Sequence, residues 1–300
     1  MSKHGRMTIV YCALACGALW GCSGGETSTT TGTPSDEPEW VAMGLPRNAA
    51  GDITIPDDVR DYMHRRAWGY AHQRWHQERL WDMQSASLKT QLLANGYQPF
   101  DKVSEGAKGS GEAFLAMHRH MFVELRAKFS RYEQIWAGWE KIPREKDSAL
   151  VPVKARSELS TSALAALDRL EDDTKLAEFA SADELGLYIW TTRIVDDASM
   201  VTMNPDSSAG IHDTTLHQRW ANAKSDVNLS EFSATHENYI FWKMHGWIDD
   251  RWTKWRKLRG LPDTDAEMEK LIADQGMEMM MAEAYESDEV KAELGADHAH

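Results

Sequence analysis

Apolar residues recur at intervals of three and four along most of the chain after about residue 57, and this spacing predicts amphipathic α-helices. The pair Asp57–Asp58 can cap the first of them. The predicted helices span residues 57–94, 113–136, 160–173, 181–192, 212–223, 238–260 and 263–286. Residues 193–211 look irregular, and patterns typical of strands are nearly absent. We therefore expect one mostly α domain over residues 41–300, a helical bundle with long irregular loops.

The first 22 residues have the layout of a secretory signal, with a basic start, a short apolar run and a cysteine. The run is too short to span a bilayer. Its end, LWGC, resembles a bacterial lipoprotein box, which implies lipidation of Cys22 and export to the cell envelope as a lipid-anchored protein; Ser23 favours the outer membrane. A cleavage site at Cys16 and ordinary signal cleavage are the alternatives. Residues 23–40, rich in Ser, Thr and Gly, predict a flexible tether.

All three cysteines, Cys12, Cys16 and Cys22, lie in this leader. Their absence from the rest of the chain excludes disulfides, Cys nucleophiles, Fe–S clusters and thiolate metal sites there. Removal of the leader takes away Lys3 and Arg6 and changes the net charge from −14 to −16. Such a surface repels phosphates and no basic stripe interrupts it, so we expect no nucleic-acid partner.

Histidines supply the main candidate chemistry. His72 and His76 are four residues apart, so a helix places both on one face, within reach of one metal ion. His118 lies on the apolar face of its helix, and His245 lies in an aromatic segment, FWKMHGWIDDRW. Burial of an imidazole without a partner costs about 1–3 kcal/mol, so each needs a hydrogen-bond acceptor or a metal ion. Taken singly, these histidines fit structural roles at least as well as ligand roles.

His212 and His217 form a third candidate group, but they are five residues apart. Five residues turn an α-helix by about 500°, so the two side chains would diverge by about 140°. Convergence requires either that His212 precedes the helix, with Asp213 or Thr214 as its cap, or that the helix contains a bulge. If neither holds, His236 in the following loop is a spare candidate.

Together these segments resemble type 3 copper proteins, the superfamily of tyrosinases, phenoloxidases and haemocyanins. FWKMHGWIDDRW is similar to their second copper-site helix, and FLAMHR is similar to a helix of the tyrosinase first site. The His72/His76 pair resembles the paired histidines of the haemocyanin first site, and HDTTLHQRW stands where the second-site pair is found. The order along the chain also matches. One departure is Gly109, where tyrosinases carry a further histidine.

The resemblance implies a bundle whose four central helices hold two copper ions. Asp249 would either orient an imidazole or form a structural salt bridge with Arg219 or Arg251. By resemblance, the ligands of the first copper would be His72, His76 and His118, and those of the second His212, His217 and His245.

The implied function is oxidation of phenols or catechols by dioxygen, with a small phenolic or tyrosyl substrate. No acid or base from the protein is assigned a catalytic role beyond the metal centre. Two alternatives stay open. One is a degenerate relative that binds one copper ion or none and acts as a binding or structural lipoprotein, which the His212–His217 spacing favours. The other is an oxygen- or copper-binding protein without catalysis.

Overall fold

The computed structural model describes residues 37–81, 85–94, 104–194, 201–203 and 210–283. The described part is mostly helical, which confirms the expected fold class. Its helices are α1 (Glu39–Ala42), α2 (Asp57–Arg65), α3 (Trp68–Arg79), α4 (Ala86–Ala94), α5 (Ser110–Lys128), α6 (Glu133–Trp136), α7 (Thr161–Glu171), α8 (Asp173–Ala177), α9 (Ala182–Thr191), α10 (Gln218–Trp220), α11 (Tyr239–Leu258) and α12 (Ala266–Glu283). A π-helix (Ile211–His217) precedes α10, and 3-10 turns cover Ser130–Tyr132 and Thr235–Glu237.

Side-chain caps fix where several of these helices begin. Ser160, Asp172, Ser181 and Asn238 each accept a hydrogen bond from a backbone N–H in the first turn of α7, α8, α9 and α11. After the last turn of α11, Gly260 takes a φ of +67°, which a residue without Cβ adopts at little cost. The predicted stop of this helix is therefore in place.

The single helix expected over residues 57–94 was wrong, because the chain forms α2, α3 and α4 there. The first break lies at Ala67, whose φ is +45°. Next to it, Gly69 packs against the chain at Ser233, where an added Cβ would lie 1.9 Å from the carbonyl oxygen. This close approach of two distant segments overrides the local helical pattern.

Two other expectations need correction. The helix expected over residues 113–136 ends at Lys128, since Phe129 leaves helical geometry with φ −127° and ψ 47°. The segment expected to be irregular contains two short antiparallel strands, β1 (Thr192–Ile194) and β2 (Val201–Met203), with Thr192 opposite Met203. Three-residue strands are too short to leave a clear alternation in the sequence.

Helix α5 lies at the centre of the bundle and packs against α9, α11 and α12. Glycines permit the closest crossings. A Cβ on Gly111 of α5 would lie 2.1 Å from the carbonyl oxygen of Asp183, and one on Gly246 of α11 would lie 2.6 Å from the nitrogen of Gly138. Fully buried tryptophans fill the surrounding core: Trp136, Trp190, Trp242, Trp247 and Trp252.

The described residues from Glu37 onward belong to one compact unit, which takes in the last residues of the predicted tether. Trp40 is 8% exposed, and its ring centroid lies 6.1 Å from that of Tyr239. One buried tryptophan in a polar segment was the only signal for this contact. The predicted leader, Cys22 and most of the tether lie outside the described residues. In the described ranges, no helix combines the length and apolarity that a membrane span requires.

Candidate metal centre

Seven histidines come together in the centre of the bundle, and each is 4% exposed or less. They are His72 and His76 of α3, His118 of α5, His212 and His217 of the π-helix, His236 of the second 3-10 turn, and His245 of α11. All six predicted ligands are therefore close neighbours. The seventh, His236, reaches the same centre from the loop before α11.

The π-helix removes the difficulty of the five-residue spacing. Its backbone hydrogen bonds join residues five apart, so His212 and His217 lie one turn apart, with ring centroids 4.5 Å from each other. The cap expected at Asp213 or Thr214 was wrong, because the N-cap position is Gly210. A Cβ there would lie 1.6 Å from the carbonyl oxygen of Trp190. Of the two routes to convergence, the bulged helix is the one adopted.

Two pairs of ring nitrogens face each other at the same distance. The Nε2 atoms of His72 and His76 are 3.0 Å apart, and so are those of His212 and His245. With metal–nitrogen bonds of about 2.0–2.1 Å, two ligands of one ion lie roughly 3 Å apart. Each pair is therefore spaced for one metal ion.

Main-chain carbonyls orient three of the imidazoles through Nδ1. A carbonyl oxygen only accepts, so Nδ1 carries the proton and Nε2 keeps its lone pair. The hydrogen bonds are His118 to Phe114 at 2.8 Å, His245 to Phe241 at 2.8 Å and His217 to Leu229 at 2.6 Å. In the described part of the chain, Nε2 of His118 and of His217 has no hydrogen-bond partner. This is the orientation that metal-binding histidines require.

His118 stands between the two pairs. Its ring stacks on that of His245, with centroids 4.6 Å apart. Ligand atoms within 4.8 Å of one another define two groups, His72 with His76 and His118, and His118 with His212 and His245. The prediction placed His118 in the first group alone, whereas the geometry gives it to both. The result is two overlapping, fully buried groups that could each hold a metal ion. The ring of His217 adjoins the second, 5.1 Å from that of His245.

Burial lowers the pKa of every imidazole in the centre, because the charged form loses its hydration there. Neighbouring imidazoles lower the pKa of most of them further. The pKa falls to about 3 for His212, His217 and His236. The rings are therefore neutral at pH 7, which is the form that binds metal.

Asp213 adjoins the second group, and Glu105 is a buried carboxyl near enough to Asp213 for the charge of Asp213 to affect its pKa; sequence reasoning missed the role of both. Oδ1 of Asp213 lies 2.8 Å from Nδ1 of His212, and burial raises the pKa of Asp213 to about 7. Glu105 is buried, and neither of its carboxyl oxygens has a hydrogen-bond partner among the described residues. Burial and the nearby charge of Asp213 raise the pKa of Glu105 to about 9. From the sequence, Asp213 is a candidate only for a helix cap, and no pattern marks Glu105 in its glycine-rich loop.

Phenylalanine rings cover the imidazoles. Phe241 stacks on His245 with centroids 3.9 Å apart, and Phe232 stacks on His76 at 4.9 Å. Phe241 is fully buried, whereas Phe232 is only partly buried. Phe232 lies in the loop between α10 and α11, and nothing in its local sequence signals a place over the metal centre.

Asp249 joins helices in this structure. Its carboxylate pairs with Nε of Arg119 at 2.5 Å and with Arg126 at 3.7 Å. The salt-bridge partners expected from the sequence, Arg219 and Arg251, were therefore wrong. Arg219 instead donates to main-chain carbonyl oxygens. Since Arg119 follows His118 on α5, its bond to Asp249 fixes α5 against α11, the helix that carries His245.

Comparison with known proteins adds nothing to this geometry. No protein-family model matches the chain, and no curated protein sequence is significantly similar to it. The arrangement of the histidines therefore carries the functional argument by itself.

Proposed function

We propose that the buried histidines hold two copper ions in a centre of the type 3 kind, and that this centre oxidises phenols or catechols with dioxygen. One observation carries the proposal: two groups of neutral, buried imidazoles overlap at His118. Because the groups share a residue, they are adjacent, as a dinuclear centre requires.

The donor atoms support copper. Imidazole suits copper, zinc, iron and nickel, and copper binds most tightly among the divalent first-row metals. Calcium and magnesium need oxygen ligands, which this site does not offer. Asp213 faces Nδ1 of His212, and the raised pKa of Glu105 keeps that carboxyl protonated at pH 7.

Bound copper would supply the transfer of electrons from a phenol to dioxygen. The protein's own part is to hold and shield the ligands. Carbonyl oxygens keep the protons on Nδ1 of His118, His217 and His245, so that Nε2 stays available. Phe232 is the partly exposed ring over His76, so we place the approach of a phenol on this side.

The proposal is tested by loading the metal-free protein with copper and counting ions per chain. We expect two per chain, an intense near-ultraviolet absorption band after addition of hydrogen peroxide, and oxidation of simple diphenols. The variant His120→Gln is a matched control, because His120 is a partly buried histidine that pairs with Glu124 outside the centre. One copper ion per chain or none, without the absorption band, would contradict the proposal. It would favour the alternative of a degenerate type 3 copper relative with a binding or structural role.

The depth of the histidines favours a second candidate, an oxygen- or copper-binding protein without turnover. All seven are 4% exposed or less, and Phe232 covers His76. In this case the copper count and the peroxide band appear but diphenols are not oxidised. The variant Phe232→Ala separates the candidates: for an enzyme with restricted access it raises the rate, and for a carrier the rate stays at zero.

We also propose that the mature protein is exported and held at the membrane by a lipid on Cys22. Support comes from the leader sequence and its LWGC end. The full-length protein, expressed in a bacterium, should partition into detergent, and Cys22→Ser should move it to the aqueous phase. Aqueous partitioning of the unaltered protein would contradict the anchor.

A further inference from the structure

His236 is the least satisfied side chain in the metal centre. It is 2% exposed, and neither Nδ1 nor Nε2 has a hydrogen-bond partner in the described part of the chain. A neutral imidazole has one donor and one acceptor nitrogen, so both capacities are unused. Buried polar groups in folded proteins nearly always have a partner, and a metal ion bound to one of the two ring nitrogens would provide one.

The ring of His236 lies beside that of His72. Their centroids are 4.5 Å apart, essentially the distance of 4.6 Å between His72 and its predicted co-ligand His76. Nδ1 of His72 is also buried without a partner. Two unsatisfied imidazoles are therefore neighbours at one end of the centre.

The backbone around His236 is fixed from several directions. Trp242 donates its indole N–H to the carbonyl oxygen of His236 at 2.7 Å. The next carbonyl oxygen, that of Glu237, accepts from the N–H of Ile55 at 3.0 Å, and the Glu237 carboxylate pairs with Arg60 at 2.5 Å. A rigid segment thus presents the imidazole to the centre, as a metal ligand requires.

We propose that His236 is a seventh imidazole ligand, which binds metal beside His72 in the first group. The inference rests on the proposed function and changes its ligand set. His236 would add a further imidazole, beside His72, to the first group, in which His118 remains shared with the second group.

The test uses His236→Gln and His236→Leu in the full chain, titrated with copper(I) against a chromogenic chelator. We expect the dissociation constant of one copper ion to rise at least tenfold in both variants, while the other ion binds as in the unaltered protein. The matched control is His120→Gln, which removes a partly buried histidine of α5 that pairs with Glu124 at 3.4 Å. In this control both dissociation constants should stay within twofold of those of the unaltered protein.

Thermal unfolding separates a ligand from a purely structural histidine. Without metal, His236→Leu should unfold at the same temperature as the unaltered protein or higher, because the unpaired polar atoms are gone. The rise in unfolding temperature caused by copper should be smaller in both variants. Unchanged copper binding, or a metal-free unfolding temperature lowered in both variants, would overturn the inference and leave the proposed function standing. No copper binding by the unaltered protein would overturn both.

Discussion

The two halves of the metal centre are built differently. In the second half (His212, His217 and His245) every Nδ1 faces a protein acceptor: Asp213 and the carbonyl oxygens of Leu229 and Phe241. In the first half (His72 and His76, with His236 as the proposed further ligand) Nδ1 of His72 and both ring nitrogens of His236 have no partner in the described part of the chain.

This difference indicates that the imidazoles of the two halves depend on a bound metal ion to different degrees. The second half is pre-organised, because its tautomers and ring orientations are set before any ion binds. The first half contains buried ring nitrogens without a partner among the described residues, and an ion bound to His236 would give one of them a partner. We therefore expect a chelator to remove copper from the first half before it removes copper from the second.

The largest effect should come from His118, which both groups share. His118→Gln should weaken the binding of both copper ions by more than about 100-fold, since loss of a ligand exceeds the 10–100-fold cost of losing a ligand's hydrogen-bond partner. His72→Gln should weaken only one. Copper titration of the two variants checks this. If both variants weaken the same number of copper ions to the same extent, His118 does not hold a shared position.

The π-helix offers the next test of the second half. Deletion of Thr214 shortens the spacing of His212 and His217 to four residues, which a regular helix tolerates, but it disturbs the bond from His217 to Leu229. We expect about 10–100-fold weaker binding of one copper ion in the titration. Thr214→Ala keeps the spacing and should bind as the unaltered protein does. Full affinity in the deletion variant would show that the π-helix is not required.

Asp213 tests how far pre-organisation matters. Asp213→Ala removes the acceptor for Nδ1 of His212 and should weaken the binding of one copper ion by about tenfold or more. Asp213→Asn keeps an acceptor oxygen and should recover most of that affinity. If both variants bind alike, the hydrogen bond does not orient the ring.

The last effect concerns the stability of the metal-free protein and its pH dependence. The folded chain keeps Glu105 protonated up to about pH 9, whereas the unfolded chain releases this proton near its ordinary pKa of 4.5. The folded state therefore binds more protons between these values, and the free energy of unfolding falls as pH rises through them. Glu105→Gln should raise the free energy of unfolding by about 1–3 kcal/mol at pH 8 and hardly at all at pH 4.5. Urea unfolding at both pH values checks this, and an equal effect at both would contradict the raised pKa.

The fold was predictable where local sequence decides it. The mostly α class and helix α11, with its end near Gly260, follow from periodicity and helix stop signals. The break at Ala67 was not predictable, because it depends on Gly69 meeting Ser233, a residue far along the chain. Sequence periodicity carries no information about such contacts.

The sequence predicts which histidines belong to the site better than it predicts how they are arranged. The histidine pairs and the aromatic helix around His245 identify six of the seven central imidazoles, and all six lie together. The five-residue spacing of His212 and His217 shows only that a regular α-helix cannot bring the two side chains together. It does not tell whether a π-helix or a cap position for His212 does so. Long-range folding brings Phe232 to the centre and Glu105 near Asp213, and no local pattern marks either residue.

Anomalous diffraction from copper-loaded crystals at the copper edge tests the central claim most directly. The account predicts two peaks inside the bundle, about 3.5–4 Å apart as in other two-metal sites, one beside Nε2 of His72 and His76 and one beside Nε2 of His212 and His245. A single peak, or peaks only at surface histidines such as His64, would contradict a dinuclear centre.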